Sequence, residues 1–123
     1  MDGALRILAV DNEPSVTLSL RYVFSGPRYE IICADSGQNA LMQLENASAP
    51  FDVIIVDEKM PNLTGSELVG EIRKRGIAGK IIVVSAHISA ETRAAYEDMN
   101  VHVMFSKPFN VDVLRSAVER VSV

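Results

Sequence analysis

Val53-Ile54-Ile55-Val56 is apolar in four successive positions and stops at Asp57, with Glu58-Lys59-Met60-Pro61 behind it. A strand with one wet face alternates apolar and polar residues. An unbroken β-branched run of strand length instead fits a strand covered on both faces, as in a parallel sheet packed between helices. A second such run, Ile81-Ile82-Val83-Val84, ends at Ser85.

Working outward, further β-branched runs occur at Leu5 to Val10, Glu30 to Ala34 and Val101 to Phe105, giving five predicted strands. Between them apolar residues recur at helical spacing: Val16, Leu20, Val23, Phe24; Leu41, Leu44; Leu68, Val69, Ile72; Thr92, Ala95, Tyr96, Met99; and Leu114, Ala117, Val118, Val121. Pro14 suits the first turn of a helix, Gly26-Pro27 follows the first helix, and Thr64 before Glu67 and Ser89 before Glu91 are capping patterns. Five βα repeats predict an α/β fold: a parallel sheet with right-handed crossovers and helices on both faces. Ligands of such sheets sit beyond the carboxyl ends of the strands.

The chain has 123 residues, 48% of them apolar, enough for one compact domain over residues 1–123 with no room for a second. Net charge is -4 and the basic residues are scattered, which argues against direct nucleic acid binding. The single cysteine, Cys33, lies in an apolar run and reads as a buried, inert thiol, compatible with a reducing compartment. Neither a signal-like N-terminus nor a membrane-length apolar run is present, so a soluble, cytoplasmic location is expected.

At the strand ends stand Asp11 and Asn12 after the first, Asp57 after the third, Ser85 after the fourth and Lys107 after the fifth. Two carboxylates meeting at one edge repel each other, so they raise a pKa or recruit a cation, and oxygen donors of this kind suit Mg²⁺. A lysine ammonium and a serine hydroxyl opposite the metal complete the charge neutralisation that phosphoryl transfer needs. The set reads as acyl phosphate chemistry.

Four short motifs carry a resemblance: Val10-Asp11-Asn12-Glu13-Pro14; Val56-Asp57-Glu58-Lys59-Met60-Pro61 with Gly65 beyond; Val84-Ser85-Ala86; and Lys107-Pro108-Phe109. Together they resemble the receiver domains of two-component response regulators, over essentially the whole chain. The resemblance implies a flavodoxin-like (βα)5 fold with sheet order 2-1-3-4-5. It implies Asp57 as phosphoacceptor, Ser85 as the switch hydroxyl and Lys107 as the phosphoryl-pairing lysine, with a cis peptide at Lys107-Pro108 as a further expectation. Mg²⁺ would be held by Asp11, Asn12, Asp57 and the Lys59 carbonyl. The implied partners are a sensor histidine kinase or a histidine phosphotransfer protein as donor, and an output domain or separate protein as target, with homodimerisation a further option. A protein of this kind is a phosphoacceptor rather than an enzyme, although it assists its own Mg²⁺-dependent phosphotransfer and dephosphorylation.

Two positions depart from the pattern. The family usually has two adjacent acids where this chain has Asp11-Asn12, and an amide oxygen lacks the charge that makes a carboxylate compete with water for Mg²⁺. Met104 stands three residues before the lysine, where the family often has Tyr or Phe. These departures motivate the alternative of a degenerate receiver working as an interaction module without phosphorylation. A phosphatase of the haloacid dehalogenase type is disfavoured because Lys59 stands where that family has a second Asp. Lys59 and His87 are expected to flank the phosphoryl site, and Met42, Met60 and Met99 to pack in the core or at its rim.

Overall fold

The structure is a computed structural model and describes residues 3–122. Strands and helices alternate as β1 (Leu5–Val10), α1 (Pro14–Val23), β2 (Tyr29–Ala34), α2 (Gly37–Asn46), β3 (Val53–Val56), α3 (Gly65–Lys74), β4 (Lys80–Ser85), α4 (Ala90–Asp98), β5 (Val103–Ser106) and α5 (Val111–Val121). All neighbouring strands pair in parallel in the order β2-β1-β3-β4-β5, the expected flavodoxin-like arrangement.

The unbroken apolar strands do what the sequence required of them. In β3, Val53 and Ile55 point into the core formed with Leu20, Val23 and Phe24 of the α1 segment and Leu114, Ala117 and Val118 of α5. Ile54 and Val56 point the other way, among Ala40 of α2, Leu68, Val69 and Ile72 of α3 and Tyr96 of α4. The period of two splits one strand between two cores, so all four of its residues are buried.

Local signals hold at most helix ends. Pro14 opens α1, and Thr64 and Glu67 form a reciprocal capping box on α3. Ser89 caps α4 by accepting from the Thr92 N–H. Ser36 and Asn110, not anticipated, cap α2 and α5 in the same way. Gly26 follows α1 at φ 109°, in the left-handed region that favours glycine.

Several boundaries and burials differ from expectation. β5 starts at Val103 rather than Val101, because Val101 belongs to the end of α4. There Asn100 takes φ 64°, its N–H donates to the Glu97 carbonyl, and the Val101 N–H donates to that of Tyr96, a Schellman closure with Tyr96 and Val101 both buried in the same core. β2 gains Tyr29, and β4 gains Lys80 and Ser85, so Ser85 is the last residue of its strand rather than the one after it. Cys33 is half-buried, with Sγ 3.8 Å from the Thr17 carbonyl, because β2 is an edge strand. Met42 is exposed on α2, whereas Met60 is in the core. Ala95 is exposed too, and Tyr96 is the one residue that α4 buries.

Candidate functional site

Strand-end backbone bonds bring the predicted residues to one edge of the sheet. The Asp11 N–H donates to the Ala34 carbonyl, the Asp57 N–H to the Val10 carbonyl, and the Lys107 N–H to the Ser85 carbonyl. Each chemical side chain is therefore fixed to the neighbouring strand at the point where the ladder ends. The Lys107-Pro108 peptide is cis, as the resemblance suggested.

Lys107 is the hub of the edge. Its Nζ donates to Asp11 Oδ2 at 2.7 Å and to Glu13 Oε1 at 3.1 Å, and lies 3.5 Å from Asp57 Oδ1. Asp11 and Asp57 are each only 4% exposed. Burial, followed by the neighbouring charge of Asp11, pushes the Asp57 carboxyl above its ordinary range, with Lys107 acting in the opposite direction. Burial by itself would lower the Lys107 ammonium; hydrogen bonds to Asp11 and Glu13 outweigh it, and the net shift is upward. Of the two expectations for converging carboxylates, the raised acid is visible here, with the Lys107 ammonium standing between them.

Ser85 is fully buried, and its Oγ makes no hydrogen bond of good geometry among the described residues, although it faces the Asp57 carboxyl closely enough to favour the ionised form. A hydroxyl left unmatched in a core costs about 1–3 kcal/mol, so this one asks for a partner brought from outside. Asn12 and Lys59 are exposed. Asn12 does not cap α1; Glu13 holds the N-cap position without a side-chain cap bond, and its N–H instead donates to Asp11 Oδ1 at 2.9 Å. His87 is exposed as well. Among the described residues no three carboxylate, imidazole or thiolate side chains form a ready metal cluster.

A buried acid of raised pKa, a shared ammonium and a buried hydroxyl thus meet at one edge of a parallel sheet. Residues 7–119 match the family model described as the response regulator receiver domain. The chain belongs to that family.

This receiver domain is 30% identical over 118 residues to the transcriptional regulatory protein KdpE of Mycobacterium tuberculosis, covering 93% of this chain and 51% of KdpE. The chain thus spans about half the length of that curated relative. Among solved structures it is similar to the Vibrio cholerae chemotaxis protein CheY4, at 29% identity and TM-score 0.87, covering 97% of this chain and 99% of that one. It is also similar to the Thermotoga maritima response regulator TrrA, solved in complex with Mg²⁺-BeF, at 34% identity and TM-score 0.79, covering 94% and 97%. Receiver domains are regulatory phosphoacceptor domains, and they generally bind Mg²⁺ at their acidic pocket. No helix among the described residues is long and apolar enough to cross a membrane.

Three side chains at this edge escaped the sequence reading. Glu13 shares Lys107, a contact across 94 residues of chain. Glu58 and Tyr96, 38 residues apart, are joined by a hydrogen bond of 2.5 Å from the Tyr96 hydroxyl to Glu58 Oε1. Glu58 stood inside a quoted motif and Tyr96 on a predicted apolar stripe; nothing local paired them.

Proposed function

We propose that this receiver domain is a phosphorylation switch in which Asp57 accepts a phosphoryl group from the phosphohistidine of a sensor histidine kinase or a histidine phosphotransfer protein. A carboxylate oxygen of Asp57 attacks phosphorus, the P–N bond breaks, and its electron pair returns to the imidazole nitrogen. The observation that carries the reading is the placing of a buried Asp57 carboxylate 3.5 Å from the Lys107 ammonium at the sheet edge where Ser85 keeps an unmatched hydroxyl. Lys107 offsets charge on one phosphoryl oxygen, and Ser85 turns to donate to another once the group is in place.

The donor set fits Mg²⁺, which is commonly bound through one or two carboxylates while keeping several waters. Asp11 and Asp57 would supply the carboxylates, with the Asn12 amide oxygen and the Lys59 carbonyl beside them. When bound, the metal would offset the negative charge of these carboxylates and of an incoming phosphoryl group. The domain is consumed as an acceptor and restored by hydrolysis, so it acts as a signalling partner rather than a turnover enzyme. Its target is an output domain or a separate protein, and a cytoplasmic setting as one domain over residues 1–123 follows from the same reading. Leu18, Tyr22 and Val111, all exposed, line one shallow hollow between α1 and α5 and offer an apolar face to a protein donor.

Asn12 and Met104 favour a second reading, a receiver that binds its partner without phosphorylation. Intact mass after incubation with acetyl phosphate, with and without Mg²⁺, separates the two. A Mg²⁺-dependent gain of one phosphoryl group, lost in Asp57→Asn, supports the switch. Retention of the adduct in Asp57→Asn refutes Asp57 as acceptor, and absence of any adduct from both acetyl phosphate and a phosphohistidine donor supports the second reading.

A further inference from the structure

Met104 stands where the receiver pattern often carries an aromatic switch residue, and Phe105 beside it packs into the opposite core, against α1 and α5. No aromatic side chain of β5 therefore enters the core under α3 and α4, where Met104 packs. An aromatic hydroxyl is present in that core all the same, delivered by α4. Tyr96 is fully buried, and its hydroxyl donates to Glu58 Oε1, on the residue directly after Asp57.

The Glu58 carboxylate is a junction. The oxygen that accepts from Tyr96 also accepts the Ser66 N–H at 2.9 Å, in the first turn of α3, where the helix dipole favours an anion. The Glu58 carbonyl accepts the Gly65 N–H at 2.9 Å. Gly65 is what lets these parts meet: a Cβ there would lie 2.5 Å from both the Asp57 carbonyl oxygen and the Tyr96 hydroxyl. The acceptor backbone, the start of α3 and the Tyr96 hydroxyl therefore share one contact. Within α4 no second residue is buried, so Tyr96 is the helix's main anchor, with Ile88, Met99 and Val101 packing at its two ends.

We propose that Glu58 and Tyr96 are the positioning pair that passes a change at Asp57 to α4, taking the place of an aromatic on β5. The proposal rests on Asp57 as the phosphoacceptor. Added negative charge on Asp57 and a shift of its loop alter the position of the adjoining Glu58 carboxylate, and Tyr96 follows its acceptor. Within its own span α4 buries only Tyr96, so a shift of that side chain is passed to the helix directly. By linkage, whatever binds α4 better in the moved position favours the phosphorylated site by the same factor.

The test uses backbone amide chemical shifts of the whole chain with Mg²⁺ and beryllofluoride as the probe. In the wild type the probe should shift amides at residues 57–59 and 107 and, beyond them, those of α4 at residues 90–98. In Tyr96→Phe the site amides should still shift while the α4 response falls by about half or more, as expected when a coupling contact is removed. Glu58→Gln should act in the same direction and serves as the second variant should Tyr96→Phe not fold. Unchanged α4 shifts in a folded variant whose site amides respond would overturn the coupling and leave Asp57 standing as acceptor. A wild type whose site amides ignore the probe would overturn both.

Discussion

Lys107→Met removes the one ammonium placed among Asp11, Glu13 and Asp57 while keeping an unbranched stem. At 2.7 Å and 3.5 Å the attractions to Asp11 and Asp57 are about 6 and about 5 kcal/mol at an effective dielectric of 20. Desolvation of the ammonium and both carboxylates offsets much of this, and breaking a buried pair from one side typically costs about 3–5 kcal/mol. A loss of about 3 kcal/mol near pH 8 is therefore expected. The sign of the pH dependence follows from the raised Asp57 pKa. A raised acid leaves the folded state holding a proton that the unfolded state has released, so stability falls as pH rises from about 4 through the folded value. Without Lys107 that pKa rises further and the fall deepens, so the penalty should be largest at pH 8 and shrink toward pH 4 as the Asp57 carboxyl takes up its proton. Urea denaturation followed by circular dichroism across that range measures it. The double variant Lys107→Met/Asp57→Asn should recover about 1–2 kcal/mol at pH 8 by removing one of the stranded carboxylates. A penalty independent of pH, or a double variant no more stable than the single, would refute the reasoning.

Ser85→Ala removes a buried hydroxyl that makes no hydrogen bond of good geometry, so without a phosphoryl group its stability should match the wild type within about 0.5 kcal/mol or exceed it; a larger loss in urea denaturation would mean that the hydroxyl is already satisfied by the Asp57 carboxyl. Asn12→Asp adds a carboxylate beside Asp11, which should lower the Mg²⁺ dissociation constant by about tenfold, or about 1.4 kcal/mol, and lower the melting temperature when chelator is present. Mg²⁺ titrations followed by thermal unfolding report both effects, and an unchanged Mg²⁺ response would remove Asn12 from the metal site.

What could be read in the sequence divides by range. The four-residue run Val53 to Val56 announced burial on two sides because no residue in it could tolerate water, and its pairing on both edges follows. Asp11, Asp57, Ser85 and Lys107 were legible because parallel strands bring their carboxyl ends to one edge whatever the side chains do. The start of β5 was not legible: Val101 is as apolar inside a Schellman closure as in a strand, and the left-handed turn at Asn100 has only one asparagine as its local signal. Glu13 with Lys107 and Glu58 with Tyr96 were invisible for a different reason. Each is a contact between loops and helices whose separation is set by packing rather than by ladder register. Sequence placed each residue at the right end of the molecule and left its partner open.

Those unforeseen contacts change how the Asn12 departure is understood. Three carboxylates, on Asp11, Glu13 and Asp57, surround one ammonium, so the metal-free edge already carries an excess of two negative charges by count. A second acid at position 12 would make that excess three and would act against folding through the same repulsion that raises Asp57. An amide there spares the metal-free state part of this cost, and it does so by giving up charge that would hold a divalent ion. The loss of Mg²⁺ affinity and the gain of metal-free stability are then two faces of one substitution. They should move together in Asn12→Asp, because both arise from one carboxylate meeting the same set of charges.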